Sequence, residues 1–238
     1  MKNSDFAEQC RDLGFFLTPN QEKRFALYRD RIIEGNKKMN ITRISTPEEI
    51  NRKHFLDSLS VFRLIDLPSS GSVVDIGSGG GFPGIPMKIW NPQFSMTLVD
   101  SLKKRVDFLD QVIEDLQLER TEAIHGRAED LFQDPLYRES FDLAVSRALA
   151  PLPSLLEYAL PAVRVGGSFI AMKGPAGEEE LIEGKKAISL LGGELGRVDI
   201  FSWSEEPYQR MLIEIIKIKE TPKEYPRGRG RVKKAPLI

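Results

Sequence analysis

The stretch VVDIGSGGGFPGIP, Val73 to Pro86, sets an apolar, β-rich run directly before five closely spaced glycines and two prolines. Such a run reads as a buried strand, and glycines after it let the backbone take positive φ and approach a ligand closely. In an open α/β sheet ligands bind beyond the carboxyl ends of the strands, so a glycine-rich turn after the first strand is the default binding loop. Taken alone, the loop also fits a plain strand-to-helix turn.

The rest of the chain follows the same architecture. From Ser72 onward β-rich runs alternate with helical ones, the pattern of a parallel sheet with crossover helices. The predicted strands are Val73 to Ile76, Met96 to Val99, Thr121 to Ile124, Asp142 to Ser146 and Ser168 to Met172. A helix is predicted from Glu178 to Leu191, and then two runs, Gly196 to Trp203 and Arg210 to Ile218, with only a loop between them, so they should pair antiparallel. The expected fold is therefore α/β: a seven-stranded, mostly parallel, Rossmann-like sheet with an antiparallel last strand and a helical N-terminal extension. In residues 1–65 one helix shows in Phe25, Tyr28 and Ile32 on a single face, and another in TPEEINRKHFLDSL, where Thr46 is placed as N-cap, Pro47 opens the helix and Glu49 closes a capping box. Residues 66–219 carry the sheet, and residues 220–238, without apolar periodicity, read as an exposed basic tail.

Of the 238 residues, 41% are apolar and 29% charged, a globular composition. The lone Cys10 excludes an intramolecular disulfide, and no Cys/His pattern suggests a metal site. The N-terminus is charged and no uncharged run is long enough to span a bilayer, so a cytoplasmic monomer without membrane attachment is expected. The net charge of −1 hides basic ends. Lys217 to Ile238 holds eight basic residues against Glu220 and Glu224, and Glu22 to Arg43 holds seven against three.

Three details decide what the glycine loop binds. Pro83 and Pro86 remove amide donors where a pyrophosphate would need them. Asp75 before the loop repels phosphate but complements the ammonium and sulfonium groups of S-adenosylmethionine, and Phe82 offers an aromatic face to such a cation. No Lys-Ser/Thr pair follows the glycines, which excludes a P-loop. The second strand ends at Asp100, placed to accept from two ribose hydroxyls, with a helix cap as the competing role. After the third strand, GRAEDL brings the Ala128 backbone and the Glu129 side chain toward an adenine edge. Three carboxylates after three successive strands favour an adenosylmethionine site over three independent caps.

The fourth strand, FDLAVSRAL, ends without an Asn/Asp-Pro-Pro-aromatic motif or a cysteine nucleophile, so the methyl acceptor needs little activation. Guanine N7 fits, because its lone pair lies in the ring plane and carries no proton. Transfer to it is a matter of in-line positioning without a general base. Arg147 is the candidate catalytic residue, orienting the base through O6 or N7 or holding a phosphate, with a structural salt bridge to a helix end as the alternative. His54 and His125 read as structural.

The segments MNITRI around Asn40, HFLDSL from His54, the glycine loop, LVDSLKKRVDFL from Leu98, GRAEDL from Gly126, SRAL from Ser146, Lys173-Gly174 and YPRGRGRVKKAPL run in order along the chain. In this set the chain resembles the glucose-inhibited division protein B family, the bacterial small-subunit ribosomal RNA guanine-N7 methyltransferases. The resemblance implies the class I S-adenosylmethionine-dependent methyltransferase fold and methylation of N7 of one guanine in 16S rRNA, conventionally position 527. It further implies cofactor contacts at Gly77, Phe82, Ala128, Glu129 and Arg147. Asp75 and Asp100 join them on the electrostatic argument. Where the family tail has a proline after its Gly-x pair, this chain has Val232, with additional arginines at 229 and 231. The 16S rRNA or the small subunit is the expected partner. Lys173, Arg210, Arg227, Arg229, Arg231 and Lys234 are its candidate contacts, and Asp57 and Ser58 are placed near the site. A methyltransferase acting on another RNA or a small molecule, and a non-catalytic ribosome-assembly factor, remain the alternatives.

Overall fold

The computed structural model describes residues 4–65, 70–202, 209–228 and 230–238. Seven strands form one sheet in the order β3-β2-β1-β4-β5-β7-β6. They are β1 (Ser72–Ile76), β2 (Ser95–Asp100), β3 (Thr121–His125), β4 (Phe141–Arg147), β5 (Val163–Lys173), β6 (Gly193–Ser202) and β7 (Gln209–Lys217). Strands β1 to β5 pair in parallel, and β7 lies antiparallel to both β5 and β6. The helices are α1 (Ser4–Asp12), α2 (Pro19–Lys38), α3 (Pro47–Ile50), α4 (Asp57–Leu59), α5 (Gly84–Trp90), α6 (Lys103–Asp115), α7 (Ala128–Leu131), α8 (Leu152–Ala159), α9 (Gly177–Leu190) and α10 (Arg231–Lys234).

Alternation along the strands sorts the core into two layers. Val73, Leu143 and Ile170 face one apolar cluster together with Phe25, Tyr28 and Ile32 of α2 and Phe108 of α6. Their neighbours Val74, Ala144 and Ala171 face the opposite cluster with α8 and α9. The N-terminal helices thus share a core with the sheet. Their packing positions the glycine loop directly, because the buried Tyr28 hydroxyl donates to the Gly80 carbonyl at 2.5 Å.

Thr46 accepts from the Glu49 amide as predicted. The helix that follows α3 departs from the α ladder: Asn51–Leu56 winds as a π-helix and Ser60–Arg63 as a 3-10 turn, either side of α4. π turns free a carbonyl from the regular pattern and recur at functional sites. Here the Lys53 carbonyl accepts from Arg147 at 3.0 Å.

Two boundaries differ from the sequence expectation. β5 begins at Val163, five residues before its apolar run, because Phe141 pairs with Val163 and the register then shifts to Leu143 opposite Ser168. Gly166 absorbs that irregularity at φ +84, and no hydrophobic alternation marks it. β6 begins at Gly193 and carries a similar shift between Leu195 and Val198. Trp203, the predicted end of that strand, lies outside the described residues.

The exposed tail is a larger correction. Lys217, fully buried, donates to the carbonyls of Leu160 and Val163 and to Thr221 Oγ1. Arg138 donates to the carbonyls of Thr221, Pro222 and Tyr225. Arg227 makes three bonds to Glu157, itself without solvent exposure, and Val232 is fully buried. The segment is held by side-chain donors, its own and those of other elements, and by the apolar anchors Tyr225, Val232 and Leu237. Neither leaves a periodic trace in the segment's own sequence.

Candidate functional site: two joined cavities at the carboxyl end of the sheet

Beyond the carboxyl ends of β1, β2 and β3 lies a cavity of about 510 Å³ lined in part by Gly77, Asp100, Ala128, Glu129 and Leu149. That volume falls within the range of small-molecule sites. Gly77 sits at φ +75, the conformation that favours glycine, and a Cβ there would come within 2.7 Å of Leu149 Cδ1, so that side chain would have to shift. Asp100 and Glu129 are buried carboxylates on the cavity wall. Asp100 Oδ2 accepts from the Gly79 amide at 2.9 Å and Arg105 at 3.3 Å, and Oδ1 accepts from the Leu102 amide at 2.9 Å. It therefore braces the loop and the entry to α6 while Oδ1 keeps an acceptor position for a ligand. Arg127 pairs with Glu129 at 3.4 Å.

A second cavity of about 640 Å³ opens on the other side of the segment after β4, which lines both cavities through Leu149, Ala150 and Pro151. Ala148, on its wall, is held at φ +55, a backbone strain for a residue with a Cβ. Arg147, Asp57, Lys53, Lys173 and Arg210 bring charge to this cavity. Arg147 is held by three hydrogen bonds and an aromatic face. It donates to Asp57 Oδ2 at 2.8 Å, to the Lys53 carbonyl and to His54 Nδ1 at 2.8 Å, and its guanidinium lies 5.1 Å from the Phe82 ring centroid. Because an arginine can only donate, His54 Nδ1 is the acceptor and its Nε2 carries the proton toward Thr42 Oγ1. Burial, and then the Arg147 charge, push the His54 pKa down to about 3, so the ring is neutral. Arg210 Nε reaches the other Asp57 oxygen at 2.9 Å.

Several predicted site residues therefore have different surroundings from those expected. Asp75 is fully buried and reaches neither cavity; its Oδ2 accepts from the Gly84 amide at the start of α5, which fills that helix terminus from inside. Its Oδ1 has no hydrogen-bond partner, and desolvation raises its pKa to about 7. The face of Phe82 is taken by His54, stacked at 4.2 Å, and the cation over it is Arg147. Arg147 itself makes the salt bridge to a helical segment that stood as its alternative. Lys173 is paired with Glu180 at 2.6 Å and with the Ala150 carbonyl, Arg227 with Glu157 and Arg210 with Asp57, so each of the three is held by a carboxylate. Arg231 and Lys234 are exposed on α10, and Arg229 lies outside the described residues. Ser58 is buried and bonded to the His54 carbonyl, away from the cavities, whereas Asp57 is central.

The two cavities, one carrying buried carboxylates and one carrying arginines, share the wall formed by Leu149, Ala150 and Pro151. The GidB model, described as rRNA small subunit methyltransferase G, matches residues 21–212. The chain belongs to this family. Relatives named ribosomal RNA small subunit methyltransferase G include one from Desulfitobacterium hafniense, 46% identical over 95% of this chain and 93% of its own length. The Clostridium novyi relative is 48% identical over 90% and 88%. The fold is that of class I methyltransferases: TYW2 of M. jannaschii, solved in complex with AdoMet, superposes with a TM-score of 0.56 at 13% identity, covering 70% of this chain and 77% of that one.

For a GidB protein the fit of the cavity to adenosylmethionine rests on its donor set. Buried carboxylates at Asp100 and Glu129 suit hydroxyl and amino donors and reject phosphate, and Gly77 leaves room along the floor. The sequence reading missed Ser154 and Tyr158 of α8 and Lys233 and Pro236 of the C-terminal segment, all of which line the same cavity. Only the separation of Ser154 and Tyr158 by one helical turn could have signalled a shared face. Among the described residues no group of three or more His, Cys, Asp or Glu is placed to hold a metal, and no helix is long and apolar enough to cross a membrane.

Proposed function

We propose that this protein methylates N7 of a single guanine in 16S rRNA, at the conventional position 527, using S-adenosylmethionine, and that it acts in the cytoplasm as a monomer. The observation that carries this reading is the junction at Leu149–Pro151, where a carboxylate-lined cavity meets an arginine-lined one. Asp100 and Glu129 hold the ribose hydroxyls and the adenine amino group, with Gly77 and Ala128 lining the contact. Asp75 and Phe82 act one layer back, Asp75 by fixing the glycine loop onto α5 and Phe82 by supporting Arg147. The cofactor supplies an electrophilic methyl group.

The guanine enters the second cavity. Arg147, fixed by Asp57, Lys53 and His54, is a rigid donor at its wall and orients the base through O6, leaving N7 free to attack in line. No side chain needs to remove a proton, which agrees with a neutral His54 whose two nitrogens are both engaged. Arg210, at the cavity rim, and the exposed Arg231 and Lys234 meet RNA phosphates.

The test is incubation of the purified protein with labelled cofactor and small-subunit RNA lacking the modification, free or in subunits. Label should enter one guanine, which then becomes sensitive to reductive strand scission, the behaviour of 7-methylguanine. Cofactor binding without transfer to any form of the RNA would rule the activity out, and label on a scission-resistant base would rule out N7.

A further inference from the structure

The C-terminal segment contributes to the cavity that the preceding section reads as the cofactor site. Lys233 and Pro236 line it alongside Gly77, Asp100 and Glu129. The segment is seated by specific contacts. Val232 is fully buried, and its carbonyl accepts from Ser154 Oγ at 3.3 Å. Arg227 ties both flanks of α10, through Glu157 on one side and the Ala235 carbonyl at 2.7 Å on the other. Lys186 holds the Ile238 carbonyl at 3.1 Å.

The seat also defines which end of the cavity the segment covers. Ser154 and Tyr158 lie one turn apart on α8 and both face the cavity. α8 packs against α7, which carries Glu129, as well as against α10. The segment anchored on Ser154 therefore approaches from the adenine end. Of the cations around the cavity, Arg105 is paired with Asp100 and Arg127 with Glu129. Lys233 has no ion-pair or side-chain hydrogen-bond partner among the described residues.

We propose that residues 232–236 form the outer wall of the cofactor site, with Pro236 covering the adenosine half and the Lys233 ammonium donating to an acceptor nitrogen of the adenine ring while Glu129 accepts from its amino group. The pairing is selective for adenine, since a 6-oxo purine carries a carbonyl where Glu129 needs a donor. The inference rests on the reading of this cavity as the cofactor site. It also changes the role of the basic C-terminus, part of which serves the small molecule and only part the RNA.

The test uses the full chain, with S-adenosylhomocysteine and 5′-methylthioadenosine as probes in calorimetric titrations. Methylthioadenosine keeps the adenosine half and lacks the amino-acid half. Lys233→Met should weaken both probes by about tenfold, the size expected for one hydrogen bond from a charged donor, with an unchanged urea midpoint. Backbone amide exchange over residues 230–236 should slow when S-adenosylhomocysteine is added to the wild type. Unchanged affinity of Lys233→Met for S-adenosylhomocysteine, a loss restricted to that ligand, or amide exchange indifferent to it would each overturn the proposal. If wild-type protein binds neither probe, the cofactor reading fails along with it, a result distinct from tight wild-type binding with an indifferent variant.

Discussion

Arg147 donates a 2.8 Å hydrogen bond to Nδ1 of His54, and the histidine answers by remaining neutral in a buried, cationic setting. Its folded pKa, near 3, lies below the usual 6.5, so its contribution to stability is present above pH 6.5 and is lost as pH falls toward 3. Asp75 behaves oppositely. Its folded pKa, near 7, lies above the usual 3.8, so its contribution is present below pH 3.8 and is lost as pH rises toward 7. Across the overlap the two slopes offset each other. Urea unfolding of cofactor-free protein at a series of pH values between 4 and 6.5 should show little net dependence from this pair. His54→Gln should make stability fall with rising pH, and Asp75→Asn should make it climb. Both variants keeping the wild-type profile would contradict these assignments.

The Arg227–Glu157 pair gives a second prediction. Glu157 is without solvent exposure, so Arg227→Ala leaves a buried carboxylate with only the backbone amide at position 227 as donor and no charge partner, and should cost about 3–5 kcal/mol. Replacing both partners, as in Arg227→Met with Glu157→Leu, should recover much of that loss, because the desolvation cost of the charges disappears with them. Denaturant unfolding of the singles and the double measures it. A single-variant loss below about 1 kcal/mol would mean that Glu157 finds water or another donor.

At Gly77 the backbone and the cavity are coupled. Gly77→Ala puts a Cβ at φ +75, costing about 1–2 kcal/mol, and drives it into Leu149, which must move. Stability should drop by about that amount, and affinity for S-adenosylhomocysteine should fall at least tenfold. Adding Leu149→Ala should restore part of the affinity but none of the backbone cost, a separation visible in titration and unfolding run side by side.

Lys173 and Arg210 both line the second cavity, yet the structure separates their expected roles. The Lys173 side chain is 8% exposed and joined to Glu180 and the Ala150 carbonyl, while that of Arg210 is 20% exposed at the rim. Arg210→Ala should lower RNA affinity and reduce the slope of log affinity against log salt by about 0.7–0.9, one phosphate contact. Lys173→Ala should leave that slope unchanged and lower the unfolding midpoint. A salt slope altered by Lys173→Ala and not by Arg210→Ala would reverse the assignment.

The parts of the fold that were legible are those written in periodic side chains. The α2 stripe of Phe25, Tyr28 and Ile32 and the apolar runs of β1, β2, β4, β5 and β7 are visible because they are buried in the core. Asp100 and Glu129 were found because strand ends direct them to a predictable edge of the sheet. Asp75 and Phe82 were located on the right loop but assigned the wrong neighbours, since sequence does not tell whether a side chain at a loop points into a cavity or beneath it. The Asp57–Arg147 and Arg227–Glu157 pairs join residues 90 and 70 positions apart, a relationship that no local pattern carries.

One consequence follows from the way the first cavity draws its walls from so much of the chain. Tyr28 holds the glycine loop from α2, and Pro236 lines the cavity from the segment that follows α10. A polypeptide emerges from the ribosome amino end first, so the sheet and its loops are available before residues 232–236 can close the cavity. The outer wall of the cavity is therefore the last of its parts to be put in place.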